Sequence, residues 1–307
     1  MIIMIYDCII AGSGPSGSLC AYIMQKIGLK CLIMEKLHEH GEKVCGGFLP
    51  PYLLVQLKKI GIDLSPLLAQ HAVPIKSWSL ERDGDCNITR FDTPYVGMGT
   101  ERKYLDDFFT EKALEQGADI RYNTKVRTFS FENNLYTVNG EKGRKLIMAC
   151  GARGMEGILP LPSYRGQTFA ISSHITGETL LLPDRVYFWY LSATTKDYFW
   201  AIPIGKKLWN VGLWYEIPRK GMSHEFQTLL AHHILPVFSS YSVVKSPRGA
   251  FLGSTDLSLQ MDIPCHGIGD FGGFNDSDSG EGLYQCLTSS AATALQIGRE
   301  FQVFSKL

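Results

Sequence analysis

No apolar run in this 307-residue chain approaches the roughly 18 residues a membrane helix needs, so no stable membrane insertion is expected. Net charge is also missing. Lys plus Arg and Asp plus Glu stand at 30 each, a balance that gives no general attraction to nucleic acid or an anionic bilayer. The eight cysteines, at positions 8, 20, 31, 45, 86, 150, 265 and 286, form no C-x-x-C pair and mostly sit inside apolar runs. They read as reduced thiols of a cytoplasmic protein. His224, His232 and His233 have no acidic partner at ligand spacing, so packing or surface exposure explains them better than a metal. Internal repeats and low-complexity tracts are absent. The apolar first ten residues lack a basic segment and run straight into a glycine turn, which makes them a first strand and not a signal peptide.

What remains is an ordinary folded composition, 45% apolar and 20% charged, long enough for two closely packed domains or one large α/β domain. The most informative stretch is 6–36. An apolar strand enters Gly12-Ser13-Gly14-Pro15-Ser16-Gly17, a helical pattern runs to Ile27 and Gly28, and a second apolar strand ends at Glu35-Lys36. This is a βαβ unit carrying a dinucleotide fingerprint. Gly12 suits the tight turn, Gly14 lets backbone approach a pyrophosphate, and Gly17 allows helix and strand to pack closely. Glu35 follows Gly12 by 23 residues, near the roughly 20 expected of an acid that accepts hydrogen bonds from a ribose. The unit alone admits NAD or FAD.

Further along, 52–60 has helical spacing, and 75–81 and 87–91 alternate like strands joined at Asp83-Gly84, a two-residue hairpin signal. Helical spacing returns from Arg102 to Gly117. Strands are expected at 118–122, 126–131, 135–138 and 145–149, the last meeting a glycine turn at Gly151 suited to a second phosphate or ribose contact. Four aromatic-rich strands between 168 and 215 suggest an antiparallel sheet with one face packed and the other lining a cavity. A helix is expected over 223–234. Near the end, Gly269-Asp270 precedes a polar loop and Gly280-Glu281-Gly282, which opens a helix rich in small residues.

Taken together, these motifs resemble the flavoprotein class of geranylgeranyl reductases, para-hydroxybenzoate hydroxylase and flavin-dependent halogenases, over nearly the full length. The geranylgeranyl-reductase-like branch is matched most closely. Its K-x-C-G-G loop appears as Lys43-Val44-Cys45-Gly46-Gly47, its helix-opening arginine with L-D as Arg102, Leu105 and Asp106, and its aromatic-x-W-x-F/I-P strand as 198–203. Val211-Gly212-Leu213, Gly269-Asp270 and Gly280-Glu281-Gly282 complete the order. The resemblance implies FAD, bound by a Rossmann-like α/β domain of glutathione-reductase type that carries an inserted antiparallel β-sheet substrate domain. The expected division is 1–72, 101–164 and 250–307 for FAD, and 73–100 with 165–249 for substrate.

On the same resemblance, the glycine turn, Glu35 and Lys36 hold the ADP half, and Arg102 with backbone near Val126 contacts its pyrophosphate and adenine side. Asp270 accepts from the ribityl chain, Gly46 and Gly47 pass close to the ring, and the helix near Gly280 and Gly282 points N–H groups at the ring edge where reduction builds negative charge. Cys45 faces the ring from the substrate side and is a catalytic candidate, with packing as a small buried hydrophobe its alternative. Tyr198 and Trp200 suit an aromatic cavity wall or, as buried strand aromatics, the core. Three departures stand out. Cys150 replaces an acid, Phe271 a small residue after Asp270, and the loop before Gly280 carries Asp276 and Asp278. Those two carboxylates are catalytic candidates, as base, anchor or modulators of flavin potential, although capping the helix is an equally physical role for either. The expected reaction is hydride exchange between flavin and a small or carrier-tethered substrate, with NAD(P)H as a possible reductant. The alternatives are an O2-using monooxygenase or halogenase, and a catalytically degenerate flavin-binding accessory protein.

Overall fold

The fold was read from a computed structural model, which describes residues 4–41, 43–92, 96–158, 168–253, 256–276 and 278–302. The chain opens with β1 (Ile5–Ala11), α1 (Pro15–Lys26) and β2 (Cys31–Met34), then β3 (Phe48–Leu49), α2 (Pro51–Lys59) and α3 (Ser65–His71). Next come β4 (Ala72–Ile75), β5 (Ser77–Arg82), β6 (Asp85–Arg90), β7 (Gly97–Thr100) and α4 (Arg102–Glu115). After β8 (Asp119–Arg121), β9 (Phe129–Glu132), β10 (Leu135–Val138) and β11 (Glu141–Met148), the chain builds β12 (Thr168–Thr179), β13 (Arg185–Tyr190), β14 (Tyr198–Gly205) and β15 (Leu208–Tyr215). It closes with α5 (Met222–His233), β16 (Phe238–Leu252), β17 (His266–Gly267) and α6 (Leu283–Glu300).

Strands β8, β2, β1 and β11 lie side by side in parallel, with Ile9 opposite Leu32 on one flank and Leu146 on the other. β1 and β2 are near-continuous apolar runs because both faces of a parallel sheet are covered. Here α1 and α6 pack one face with Leu19, Met24, Leu287 and Ile297, and Val126, Met155, Leu257 and Phe271 pack the other. The first half of β11 pairs with the β9–β10 hairpin, the second half with β17. The strand expected over 126–131 starts only at Phe129; Val126 is buried in irregular backbone.

The second sheet runs β16-β12-β15-β14-β13-β5-β6 and is antiparallel except between β13 and β5. Its period-two alternation sorts side chains to two faces. Along β14, Phe199 and Ala201 pack toward α5, whereas Trp200 and Ile202 turn to the opposite face with Trp214 and Ala170. His233 of α5 stacks on Phe199, and burial depresses its imidazole to about 4.

Asp83 and Gly84 both adopt positive φ, the backbone of the expected hairpin turn. The expected strand over 75–81 is instead two strands, broken at Lys76, whose N–H donates to the Asp184 carbonyl. β7 stands outside the large sheet and pairs with β3 on one side and β4 on the other, in a third, three-stranded sheet. β7 can do this because it is glycine-rich and lies against β14. A Cβ on Gly99 would come within 1.9 Å of the Pro203 carbonyl oxygen. Several elements have no counterpart in the sequence pattern, among them the short β3, β7 and α3 and the 15-residue β16. Among the described residues no helix is long and apolar enough to cross a membrane.

Candidate functional site

A cavity of about 1290 Å³ runs from the glycine turn after β1 to the Trp200 face of the second sheet. Gly12, Gly14, Pro15, Ser16, Glu35, Lys36, Val126 and Gly151 line one end, and Cys45, Gly46, Gly47, Tyr198, Trp200 and Gly280 the other. Arg102, Asp270, Asp276 and Gly282 also border it. Four of the expected residues do not. Ser13 and Gly17 sit behind the turn, Gly269 lies beneath Ser16 and Cys286, and Asp278 points outward, its exposed carboxylate 2.6 Å from Lys196 Nζ.

At the first end, α1 begins at Gly14 with no side chain capping it and no acid in its first turn. Its opening N–H groups and positive dipole end face a cradle that a Cβ on Gly14 would enter without meeting any atom within 4 Å. Glu35 is buried and partly engaged, accepting from Ser13 N at 2.9 Å, Ser13 Oγ at 3.0 Å and Leu37 N at 2.9 Å. His40, which belongs to no sequence motif, ties this turn to α4. Its Nε2 lies 2.8 Å from Ser13 Oγ and its Nδ1 2.8 Å from Asp107 Oδ1.

Two ion pairs border the middle of the cavity, one buried and one with its lysine exposed. Arg102 Nε and Nη2 donate to Asp106 at 3.0 and 3.2 Å, one helical turn apart. Burial works against the guanidinium, but Asp106, and the Cys45 thiol beside it, hold its pKa above the ordinary value. Burial pushes the Asp106 carboxyl up against the pull of Arg102. The second pair joins Lys43 Nζ to Asp270 Oδ2 at 2.6 Å. Lys43 belongs to the K-x-C-G-G match, but no role for it follows from sequence, because its partner is 227 residues away.

At the far end, the Tyr198 hydroxyl donates to the Ser279 carbonyl at 2.5 Å and its ring stacks on Trp214. Gly280 adopts φ +66, and a Cβ there would fall 2.2 Å from Trp214 Nε1. Trp214 Nε1 is itself buried without a hydrogen-bond partner among the described residues. α6 starts just beyond, and Glu281 reaches forward to accept from Tyr284 N in its first turn at 2.7 Å. Burial raises the Glu281 carboxyl above its usual range. Phe271, the large residue after Asp270, does not crowd the cavity. Its ring is fully buried in the core on the far face of the first sheet, and only its backbone follows Asp270. Cys150 lines the cavity, with burial pushing its thiol up to about 12.

Asp276 is committed to the loop. Its Oδ1 accepts from Asp278 N at 3.0 Å, Ser279 N at 2.7 Å and Ser279 Oγ at 2.7 Å. The Ser279 hydroxyl, aided by those N–H groups, lowers the carboxyl below its ordinary value. A depressed folded pKa means the loop gains stability from Asp276 above about pH 4 and loses it as pH falls through the lowered value. Asp276→Asn keeps an acceptor at Oδ1, so FAD retention is expected to be unchanged, while Asp276→Ala should cost about 1 kcal/mol of stability. A flavin potential and turnover unaltered in Asp276→Asn would assign the residue to the turn and not to chemistry.

No protein-family model matches the chain. It is 23% identical to an uncharacterised protein of Methanosarcina barkeri over 94% of its own length and 73% of that one. It is 28% identical to the digeranylgeranylglycerophospholipid reductase of Methanococcus vannielii over 68% of its length, and a Methanosphaera stadtmanae protein of the same name matches at 26%. The aligned part spans about half the length of those two reductases, 55% in each. Among solved structures, a geranylgeranyl bacteriochlorophyll reductase-like protein of Thermoplasma acidophilum superimposes with a TM-score of 0.79 at 20% identity, covering 99% of this chain and 81% of that one. A flavin-dependent brominase gives 0.79 at 19% over 99% and 82%. A halogenase solved with phloroglucinol and FAD gives 0.73 at 18% over 97% and 70%. The fold is therefore the one shared by flavin-dependent reductases and halogenases. The relatives by sequence include proteins named as reductases, in keeping with the branch whose motifs the chain matches.

Proposed function

We propose that the chain is an FAD-dependent oxidoreductase that exchanges a hydride with a small or carrier-tethered organic substrate. The observation that carries this is a single cavity joining an uncapped, acid-free helix start to a wall of aromatic side chains. The residues fit the cofactor. The α1 turn offers free N–H groups to a pyrophosphate, Glu35 and Lys36 border the ribose end, and the cavity is long enough to continue past Arg102 to Cys45 and Gly46. Bound there, FAD supplies the hydride chemistry at its ring N5.

The chain's own groups then bind and shield. Arg102, held by Asp106, would turn guanidinium N–H groups to a bound pyrophosphate, Asp270 would offer an acceptor steadied by Lys43, and the start of α6, which borders the cavity, would favour negative charge on a reduced ring. Tyr198, Trp200 and Trp214 exclude water from the substrate side. The division into FAD segments (1–72, 101–164, 250–307) and substrate segments (73–100, 165–249) belongs to the same proposal. So does action in the cytoplasm, which suits eight free thiols.

A second function, O2-dependent hydroxylation or halogenation, is favoured by the likeness to a brominase and a halogenase. The test is the absorption spectrum of the purified protein followed by anaerobic mixing with NADPH and NADH. A yellow protein that bleaches supports a pyridine-nucleotide-linked enzyme. Halogenated or hydroxylated product on adding O2 and halide would replace reduction by the second function, and a colourless protein that takes up no FAD would sink both in favour of an accessory role.

A further inference from the structure

Asn210 stands on β15, buried, and its amide touches three groups. Trp200 Nε1 donates to its Oδ1 at 2.8 Å, its Nδ2 donates to the Cys45 carbonyl at 2.7 Å, and the same Nδ2 lies 3.2 Å from His174 Nε2. The orientation of the amide is fixed by chemistry. An indole N–H can only donate and a backbone carbonyl can only accept, so oxygen must face Trp200 and nitrogen must face Cys45. The second N–H of the amide is then left to His174, whose Nε2 has to accept. The His174 proton therefore sits on Nδ1, on the side of the Glu101 carboxylate 3.6 Å away, which Lys245 of β16 also pairs with.

We infer that Asn210 is a positioning residue for the reacting end of the cavity. It fixes the Cys45 backbone, and through it the thiol, and it turns the Trp200 indole edge inward so that the ring presents to the cavity. The glycine after Cys45 leaves no slack in this arrangement, since a Cβ on Gly46 would lie 2.7 Å from Ile202 and 3.7 Å from Trp200 Nε1. A corollary concerns protonation. An imidazolium at His174 would set Nε2–H against the amide N–H, two donors face to face, and would push Asn210 off the Cys45 carbonyl. Among the described contacts, Glu101, ahead of α4, faces His174, and Lys245, opposite His174 on β16, pairs with that carboxylate in turn.

Only the part that the Cys45 end takes in the reaction rests on the proposed function. The test needs no flavin and so fails or succeeds separately. Iodoacetamide labelling of the full chain is followed at Cys45 by peptide mass spectrometry, with exposed Cys86 as internal reference and thermal melting alongside. Asn210→Asp places a carboxylate oxygen against the Cys45 carbonyl. It should change the Cys45-to-Cys86 labelling ratio about fivefold, the population change that one ordinary hydrogen bond supports, with folding retained. In wild type the ratio should drift the same way between pH 8 and pH 5.5. His174→Gln, which keeps an acceptor toward Asn210 but cannot gain a proton, should drift clearly less than wild type, keeping only the change that thiolate formation gives. An unchanged ratio in a folded Asn210→Asp protein, or the same drift in His174→Gln, would overturn the inference. Should Asn210→Asp not fold, the wild-type and His174→Gln profiles decide alone.

Discussion

Gly17→Val should give a protein that no longer retains FAD and melts well below wild type, whereas Gly14→Ala should melt like wild type and still bind FAD poorly. The two glycines are three residues apart and meet different neighbours. A Cβ on Gly17 would lie 2.0 Å from the Gly12 carbonyl oxygen and 3.2 Å from the Ala149 side chain, so backbone must move and α1 must lift from the sheet. Overpacking of this kind costs about 3 kcal/mol at the upper end of its usual range, and a like loss from the bound state weakens binding about a hundredfold. A Cβ on Gly14 would meet nothing within 4 Å and would stand in the cavity. Its cost falls on whatever approaches the helix start, not on the fold. Thermal melting together with FAD fluorescence titration separates the two effects. Wild-type affinity in Gly14→Ala would mean that the pyrophosphate does not lie on this turn.

Much of this arrangement is legible in local signals of the sequence. The glycine turn, Glu35, the Asp83-Gly84 hairpin, α4 and the aromatic strands β14 and β15 each follow from periodicity or from backbone that only certain residues adopt. What local signals do not carry is long-range or directional. β16 alternates poorly because most of its residues are exposed, so a 15-residue strand leaves no period to find. Lys43 and Asp270 are 227 residues apart, and nothing local to either announces the other. Asn210 looks like one more residue of a buried strand, and only its three partners set it apart. Phe271 shows the converse failure. A large residue after Asp270 implies crowding of the cofactor only if its side chain faces the cavity, and sequence gives the residue but not the side of the sheet it faces. Asp276 and Asp278 look equivalent as neighbouring carboxylates. One folds into its own turn and the other leaves for Lys196, since a polar loop satisfies its N–H groups before it serves a ligand.

Asp106→Asn should destabilise the FAD-free protein by about 3–5 kcal/mol, because it leaves a guanidinium buried without its counter-charge. At about 2–4 °C per kcal/mol for a chain of this size, that is a fall of about 10 °C in Tm. Arg102 and Asp106 are both buried, and the neighbouring pair, Lys43 with Asp270, is already balanced and has no spare negative charge to lend. An anionic cofactor changes that balance. If Arg102 lies beside the pyrophosphate, bound FAD supplies the charge that Asp106 no longer does, and ligand stabilisation adds in proportion to the logarithm of its saturation. The difference in Tm between FAD-loaded and FAD-free protein should therefore be larger in Asp106→Asn than in wild type. Differential scanning fluorimetry at matched FAD concentrations measures both gaps. Equal gaps would show that the cofactor does not feel the Arg102 charge, and would remove Arg102 from the pyrophosphate site while leaving its buried pairing with Asp106 intact. Raising the salt concentration is a useful control. A buried pair is screened far less than an exposed one, so the extra gap should persist at about 0.5 M salt if Arg102 and the pyrophosphate meet inside the cavity.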